Sequence, residues 1–456
     1  MGESAATSAP VASGRVPLLG HGIQMLHHPL PFLQRQRDRG EVVKIFLGTR
    51  PAYVINSPEL IHRVLVADAD RFDRGRLFQK ASALVGHGLA TSDGPFHLRQ
   101  RRIMQPAFGR LQVRTYATDM NAEVRRLVDS WKPGQVVNVS QDMGELALSV
   151  TATALFRAEI GKQAVQEVHR WLPVIVAGLL PRVVAPDGWE RVPTPGNRRF
   201  TEARRRLRAI VEDVIESYRV SAGNQRDDLL SALLTARYDD TGEPMSAEQL
   251  RDEVITILMS GTETTASALS WMFHQLAENP EVERRMHAEL DTVLAGRAVT
   301  HADIERLDYT GQVLRETLRR HSPLWFVMRR TTGPVDLAGV RIPVGSQVIY
   351  SLAALHRDPA VFAAPMVFDP DRWAPGRPVP DRQAFQPFSS GRHKCIGESF
   401  AWAEMTIAAA TVAARWRLRP VPGRRIRERT LATLRPSTLL MIAEPRFATT
   451  AAPTTN

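Results

Sequence analysis

With 456 residues, 43% hydrophobic and 23% charged, the chain can bury a large core, and its composition excludes disordered and collagen-like classes. Its net charge of +11 rests almost wholly on arginine, since Lys44, Lys80, Lys132, Lys162 and Lys394 are the only lysines. The basic runs EARRRLR (202–208) and PGRRIRER (422–429) carry acids and lack interleaved aromatics, which sets nucleic acid aside and favours an acidic protein partner.

In chain order, residues 1–14 are small and polar and are expected to form a disordered tail. No basic, apolar leader follows and no run of 18 apolar residues exists, so the expectation is a cytoplasmic chain without stable membrane insertion. Residues 42–57 (VVKIFLGTRPAYVINS) read as two strands around a Gly-Thr-Arg-Pro turn. From Pro58 onward helical periodicity dominates, with strand-like runs only at 335–343 and 346–352. The expected fold class is mainly α with a smaller β portion: one domain over 15–447 and a disordered tail over 448–456.

The longest predicted helix runs from Ser246, in a capping box with Gln249, to Asn279 before Pro280. It would span about 50 Å, and Asp252, Glu253 and Glu263 argue against a membrane span. Its middle, SGTETT (260–265), combines Gly261 with three threonines that can bond back to earlier carbonyls, a composition that bends helices or opens π-bulges. Glu316 and Arg319 stand three apart and share a helical face.

The single cysteine, Cys395, excludes an internal disulfide and leaves a buried thiol, a reactive one or a metal ligand. It lies in FSSGRHKCIG (388–397), where Phe388, Gly391, His393, Cys395 and Gly397 match F-x-x-G-x-[RH]-x-C-x-G. On this motif the chain resembles the cytochrome P-450 family of haem-thiolate monooxygenases. The resemblance covers nearly the whole chain in family order, through DGPFHLRQRR (93–102), SGTETT, ETLR (316–319) and APMVFDPDRW (364–373). His97 stands where many members have tryptophan, Ser260 where alanine or glycine is usual, and Met366 replaces the usual glutamate.

The resemblance implies the family's fold, with a long central helix over a buried haem b held by Cys395 as axial iron ligand. Thiolate ligation favours O–O cleavage of bound dioxygen, and a helix beginning just after Cys395 would favour the negative sulfur. His97, Arg101, Arg329 and His393 would pair the haem propionates, with Arg329 chosen over Arg330 by its spacing to the following strand. Phe388, Gly391 and Gly397 would shape the loop, and Gly261 would leave room for dioxygen. Thr264 and Glu263 would form the catalytic pair, Thr264 donating to the distal oxygen and Glu263 relaying protons through water. Glu316, Arg319 and Arg372 would form a structural network under the loop.

An apolar substrate pocket is expected from Phe78, Leu84, Ile257, Met259, Phe326, Val327 and Leu439. With one cysteine the chain holds no iron–sulfur cluster, and it has no flavin or nicotinamide motif. Electrons derived from NAD(P)H would therefore come through a ferredoxin and its reductase, drawn to Arg102, Arg392 and Lys394. LLGHG, GTRPAYVINSPEL and GLATSDGPFHLRQRRIMQPAF are similar to soluble actinobacterial terpenoid hydroxylases of the pentalenene oxygenase type. A hydrophobic terpenoid, a sesquiterpene first, is the expected substrate. The alternatives are tailoring of a macrolide or ansamycin polyketide, and a peroxide-driven or non-oxygenating haem-thiolate enzyme.

Overall fold

The computed structural model of the chain describes residues 8–156, 162–221, 228–238, 241–378 and 380–446. Helices α1 (Gly22–His27), α2 (Pro29–Gln34) and α3 (Pro58–His62) surround the hairpin β1 (Val42–Leu47) and β2 (Arg50–Ile55), and β3 (Phe72–Asp73) leads to α4 (Gly75–Val85). Next come α5 (Gly94–Met104), α6 (Arg110–Ser130), β4 (Val136–Asn138), α7 (Val139–Phe156), α8 (Lys162–Val184), α9 (Pro195–Ser221), α10 (Leu229–Thr235) and α11 (Ala247–Glu278). Beyond α12 (Pro280–Leu294) and α13 (Asp308–Arg320) lie β5 (Val327–Thr331), β6 (Val335–Leu337), β7 (Val340–Ile342), β8 (Gln347–Tyr350) and α14 (Leu352–His356). The chain closes with α15 (Glu398–Arg415), β9 (Trp416–Pro420), β10 (Glu428–Thr430), β11 (Leu434–Pro436) and β12 (Leu440–Pro445).

One five-stranded sheet has the order β1-β2-β8-β5-β3, with β2 and β8 parallel and the other pairs antiparallel. A second sheet, β4-β12-β9, and the β10–β11 hairpin use the C-terminal chain. These strands, with β3 and β5, correct the expectation that strands beyond Pro58 occur only at 335–343 and 346–352. The main core lies among α6, α7, α11 and α15, where Val124, Met143, Met272 and Ala409 are wholly buried.

Residues 8–14 are not the free tail that the sequence implied. Val11 bridges Lys44, Ala12 N–H donates to the Lys44 carbonyl at 2.9 Å, and Ala12 is buried. The tail expected over 448–456 lies outside the described residues.

α11 has the boundaries its sequence predicts. Ser246 Oγ accepts from Gln249 N–H at 3.1 Å and Asn279 ends the helix before Pro280. The return half of the capping box is missing, because the Gln249 amide donates instead to the His87 carbonyl and to Glu253. The helix is also continuous through SGTETT. Ser260, Thr262 and Thr264 each donate to the carbonyl four residues back at 2.6 Å, which satisfies their hydroxyls without breaking the backbone ladder.

Candidate active site

The cysteine loop is shaped by its own backbone. Gly391 has φ +71°, and a Cβ there would sit 1.9 Å from the Leu65 carbonyl oxygen, so no side chain fits. Cys395 N–H donates to the Phe388 carbonyl at 2.9 Å, and Phe388 packs on Trp402 with ring centroids 5.8 Å apart. Gly397 caps α15 with an ordinary φ of −87°, and a Cβ there would meet Phe108 and the sulfur only at contact distance, so neither conformation nor space requires glycine here.

Cys395 is exposed, yet the surrounding protein still desolvates its sulfur. Burial pushes the Cys395 thiol up, while the Gly397 N–H and the charges of Arg101 and Lys394 pull it back. The expected stabilisation of the thiolate by the helix end is thus outweighed in the protein alone, and a cation at the sulfur would favour the thiolate again.

On α13, Glu316 and Arg319 are both 0% exposed and form a two-bond fork, Nε to Oε2 at 2.9 Å and Nη2 to Oε1 at 2.8 Å. Arg319 also donates to the His356 carbonyl at 2.7 Å. Arg372 joins as an ion pair, its Nε 3.5 Å from Glu316 Oε2 but outside hydrogen-bond geometry. The remaining hydrogen bonds to the carboxylate come from Asp369 N–H and from Trp373 Nε1, both at 3.0 Å, and sequence reasoning missed both. His356 is buried against Ser322 and Phe362.

A cluster of basic side chains forms around the start of α5. His97 is buried, with Nδ1 3.1 Å from the Leu89 carbonyl, and its ring lies 4.7 Å from that of His393. Arg329 is buried and donates to the Met328 carbonyl at 2.9 Å. Arg101 donates to the Lys394 carbonyl at 2.7 Å. A further member was not anticipated: Arg74, buried, donates to the carbonyls of Ser92 and Leu89, each at 3.2 Å.

Asp93, the N-cap of α5, is the carboxylate of this cluster. Its Oδ1 lies 3.1 Å from His393 Nε2 and its Oδ2 accepts from Arg74 N–H at 2.7 Å. Burial alone would raise Asp93, but those bonds and the Gly94 N–H hold it far below the usual carboxylate range. Burial and the neighbouring Arg329 bring Arg74 down to about 9, while burial and Arg74 bring His97 down to about 4 and His393 to about 3. Two buried guanidiniums against one carboxylate leave one net positive charge, and two neutral imidazoles stand beside them as hydrogen-bonding groups, a set that suits an anionic propionate.

Across from the loop, α11 is buried on both sides of its centre, over 252–258 and 267–273, and gains accessible surface at 259–261, 263–264 and 266. The Thr264 hydroxyl donates to the Ser260 carbonyl, so in this rotamer it presents lone pairs rather than the expected proton. Gly261 faces α7, where a Cβ would meet Thr151 Oγ1 at 2.7 Å; its role here is close helix packing rather than the expected space for dioxygen.

Glu263 turns to the flank, 3.8 Å from Arg435 and 3.4 Å from Thr433 Oγ1. Burial raises its carboxyl, partly opposed by Arg435 and Thr433. It borders a cavity of about 740 Å³ whose wall includes Ser140, Thr262, Ser270, Arg429 and Ser437.

Of the expected pocket residues, Ile257, Phe326, Val327 and Leu439 are packed into apolar clusters with at most 6% exposure. Met259 and Phe78 are partly exposed, Phe78 with the Arg74 guanidinium 4.8 Å above its ring. Leu84 lies on α4, and its side chain is outside the described residues.

The exposed thiol, the Gly391 turn and the buried guanidiniums all suit a haem bound by sulfur. Comparison with known proteins agrees. The sequence profile of the cytochrome P-450 family matches residues 10–446. Cyclooctatin synthase of Streptomyces melanosporofaciens is 43% identical over 439 residues, 96% of this chain and 95% of that protein. Cyclooctat-9-en-7-ol 5-monooxygenase of the same organism is 42% identical over 95% of both chains. Pentalenene oxygenase of Streptomyces avermitilis is 39% identical over 93% of this chain and 95% of that protein. The chain therefore belongs to the cytochrome P-450 family and is a monooxygenase with a haem-iron cofactor.

Proposed function

We propose that this monooxygenase inserts one atom of O2 into a polycyclic terpenoid, with haem b as cofactor and with NAD(P)H-derived electrons delivered by a ferredoxin and its reductase. The names of the three relatives, two for cyclooctatin-type compounds and one for pentalenene, support a terpenoid. Haem held by a thiolate supplies the activation of dioxygen. Cys395 would hold the iron, and Arg74, His97, Arg329 and His393 would pair the propionates.

The observation that carries the oxygen-activating reading is the opening of α11 at Thr264 with Glu263 beside it, leaning into the 740 Å³ cavity. Burial raises the Glu263 carboxyl against the pull of Arg435 and Thr433, which favours its holding a proton, and the cavity beside it gives water a route to replace that proton. Glu263 passes a proton inward through water, and Thr264 accepts it at oxygen as its own hydroxyl proton turns from the Ser260 carbonyl and is donated onward, so the hydroxyl stays neutral and water reprotonates Glu263. Replacing Thr264→Ala should leave NAD(P)H consumption running while product per NAD(P)H falls and peroxide rises; unchanged coupling would refute the role. On the donor side, Arg102 is exposed, whereas Lys394 pairs with Glu398 at 2.5 Å and Arg392 turns inward to the Phe72 carbonyl. Docking of an acidic ferredoxin would rest on Arg102 and its neighbours.

The substrate is tested by titrating pentalenene, cyclooctat-9-en-7-ol, a macrolide and an ansamycin into the ferric protein. A terpenoid should produce the spectral shift of water displaced from iron and yield hydroxylated product with reductase and ferredoxin. A response to the polyketides alone would transfer the assignment to them, and product formed with peroxide but not with the redox chain would favour the peroxide-driven reading.

A further inference from the structure

The loop joining α4 to α5 is clipped onto α11 by side chains that the reaction does not use. Gly86 has φ +78°, and a Cβ on it would fall 1.9 Å from the Asp252 carboxyl; one on Gly88 would fall 2.1 Å from Thr256 Oγ1. Only bare backbone lies this close to the helix. His87 N–H donates to Asp252 Oδ2 at 2.8 Å, and Leu89 N–H donates to Glu253 Oε2 at 2.7 Å. The Gln249 amide donates to Glu253 Oε1 at 2.7 Å and to the His87 carbonyl at 3.1 Å. Glu253 is 0% exposed.

Leu89 is a junction. Its N–H is held by Glu253, while its carbonyl oxygen accepts from Arg74 Nη2 at 3.2 Å and lies 3.1 Å from His97 Nδ1. The two groups at its carbonyl belong to the cationic cradle; the one at its N–H belongs to the central helix. We propose that Glu253 is a positioning residue for the haem-carboxylate cradle, acting through the backbone of Leu89 to aim Arg74 and His97. This rests on haem being the group bound.

Ionisation of Glu253 provides a handle that packing alone would not. Burial, aided by the neighbouring Asp252, raises Glu253 to about 7, against the pull of Leu89 N–H and the Gln249 amide. Asp252 is the charged group that acts on it through space; His87 belongs to the loop, and Arg74 and His97 lie beyond Leu89. A carboxyl raised in the closed loop and ordinary in the open one stabilises closure fully below 4.5 and loses that contribution as pH rises through about 7. The cradle should therefore loosen on the alkaline side.

The test is the rate at which the holo protein loses haem to excess apomyoglobin, at about pH 6 and about pH 8. The wild-type rate should rise by about tenfold between them, as the linkage across a carboxyl titrating near neutrality requires. Glu253→Gln keeps an oxygen for Leu89 N–H and removes the charge, so its rate should be low at both values. Glu253→Leu leaves Leu89 N–H without a partner and should lose haem fast at both. A flat wild-type profile, or a rise in Glu253→Gln equal to that of wild type, overturns the proposal. The carbon monoxide difference spectrum of the same samples tests sulfur ligation separately, so failure of the haem assignment is distinguishable.

Discussion

Glu316 shows how far a short spacing reaches. Its pairing with Arg319 was legible because residues three apart on a helix must share a face. The donors from Asp369 and Trp373 were not, because they arrive from a segment more than fifty residues away with no periodic pattern. All of them converge on one carboxylate without solvent. Glu316→Ala would leave the Arg319 charge buried and unpaired, a loss of roughly 3–5 kcal/mol. Chemical denaturation should show a midpoint lowered accordingly, and little haem-loaded protein should be recovered. At Cys395 the motif was readable in full, while Arg74 was hidden: nothing in RFDRGR separates a buried guanidinium from an exposed one. Asp93 could have been found, since Asp before Gly-Pro is a helix-start signal.

Among the elements, α11 was the most readable because its cap, its length and its stop are all local. Its irregular centre misled for an equally local reason: threonines that can disrupt a helix can also bond back within it. The junction of α6 with α7 carries a separate titration. Trp131, just past α6, donates Nε1–H to Asp142 Oδ2 at 3.0 Å in the first turn of α7, and stacks edge-on against Trp416 at 6.2 Å. Burial holds Asp142 at about 6, with Glu145 adding to the shift and Trp131 opposing it. Raised above its unfolded value of 3.8, this carboxyl contributes stability that is complete below 3.8 and gone once pH passes about 6. Asp142→Asn keeps an acceptor for Trp131 and removes the charge. It should raise stability at pH 8 by about 1–2 kcal/mol after solvent screening, seen as a higher thermal midpoint, and leave the midpoint nearly unchanged below pH 4. Melting curves across that range decide it.

At the scale of the whole molecule, fold class and the order of the motifs followed from the sequence, because a mainly helical chain advertises itself through long amphipathic periods. The C-terminal strands did not: β10 and β11 are three residues each, too short for alternation to show, and are fixed by pairing with one another. The substrate pocket was the least legible part. Ile257, Phe326, Val327 and Leu439 look alike in sequence whether they face a ligand or fill a core, and here they fill cores.

The segment around Val11 bears on how this protein is handled. β1 is the outermost strand of the five-stranded sheet, and residues 10–12 lie along it, with Lys44 N–H donating to the Pro10 carbonyl at 2.8 Å. A chain begun at residue 15 would leave that border unsatisfied, a template for edge-to-edge self-association. Light scattering during purification should find the shortened chain forming oligomers, and the intact one should stay smaller at equal concentration.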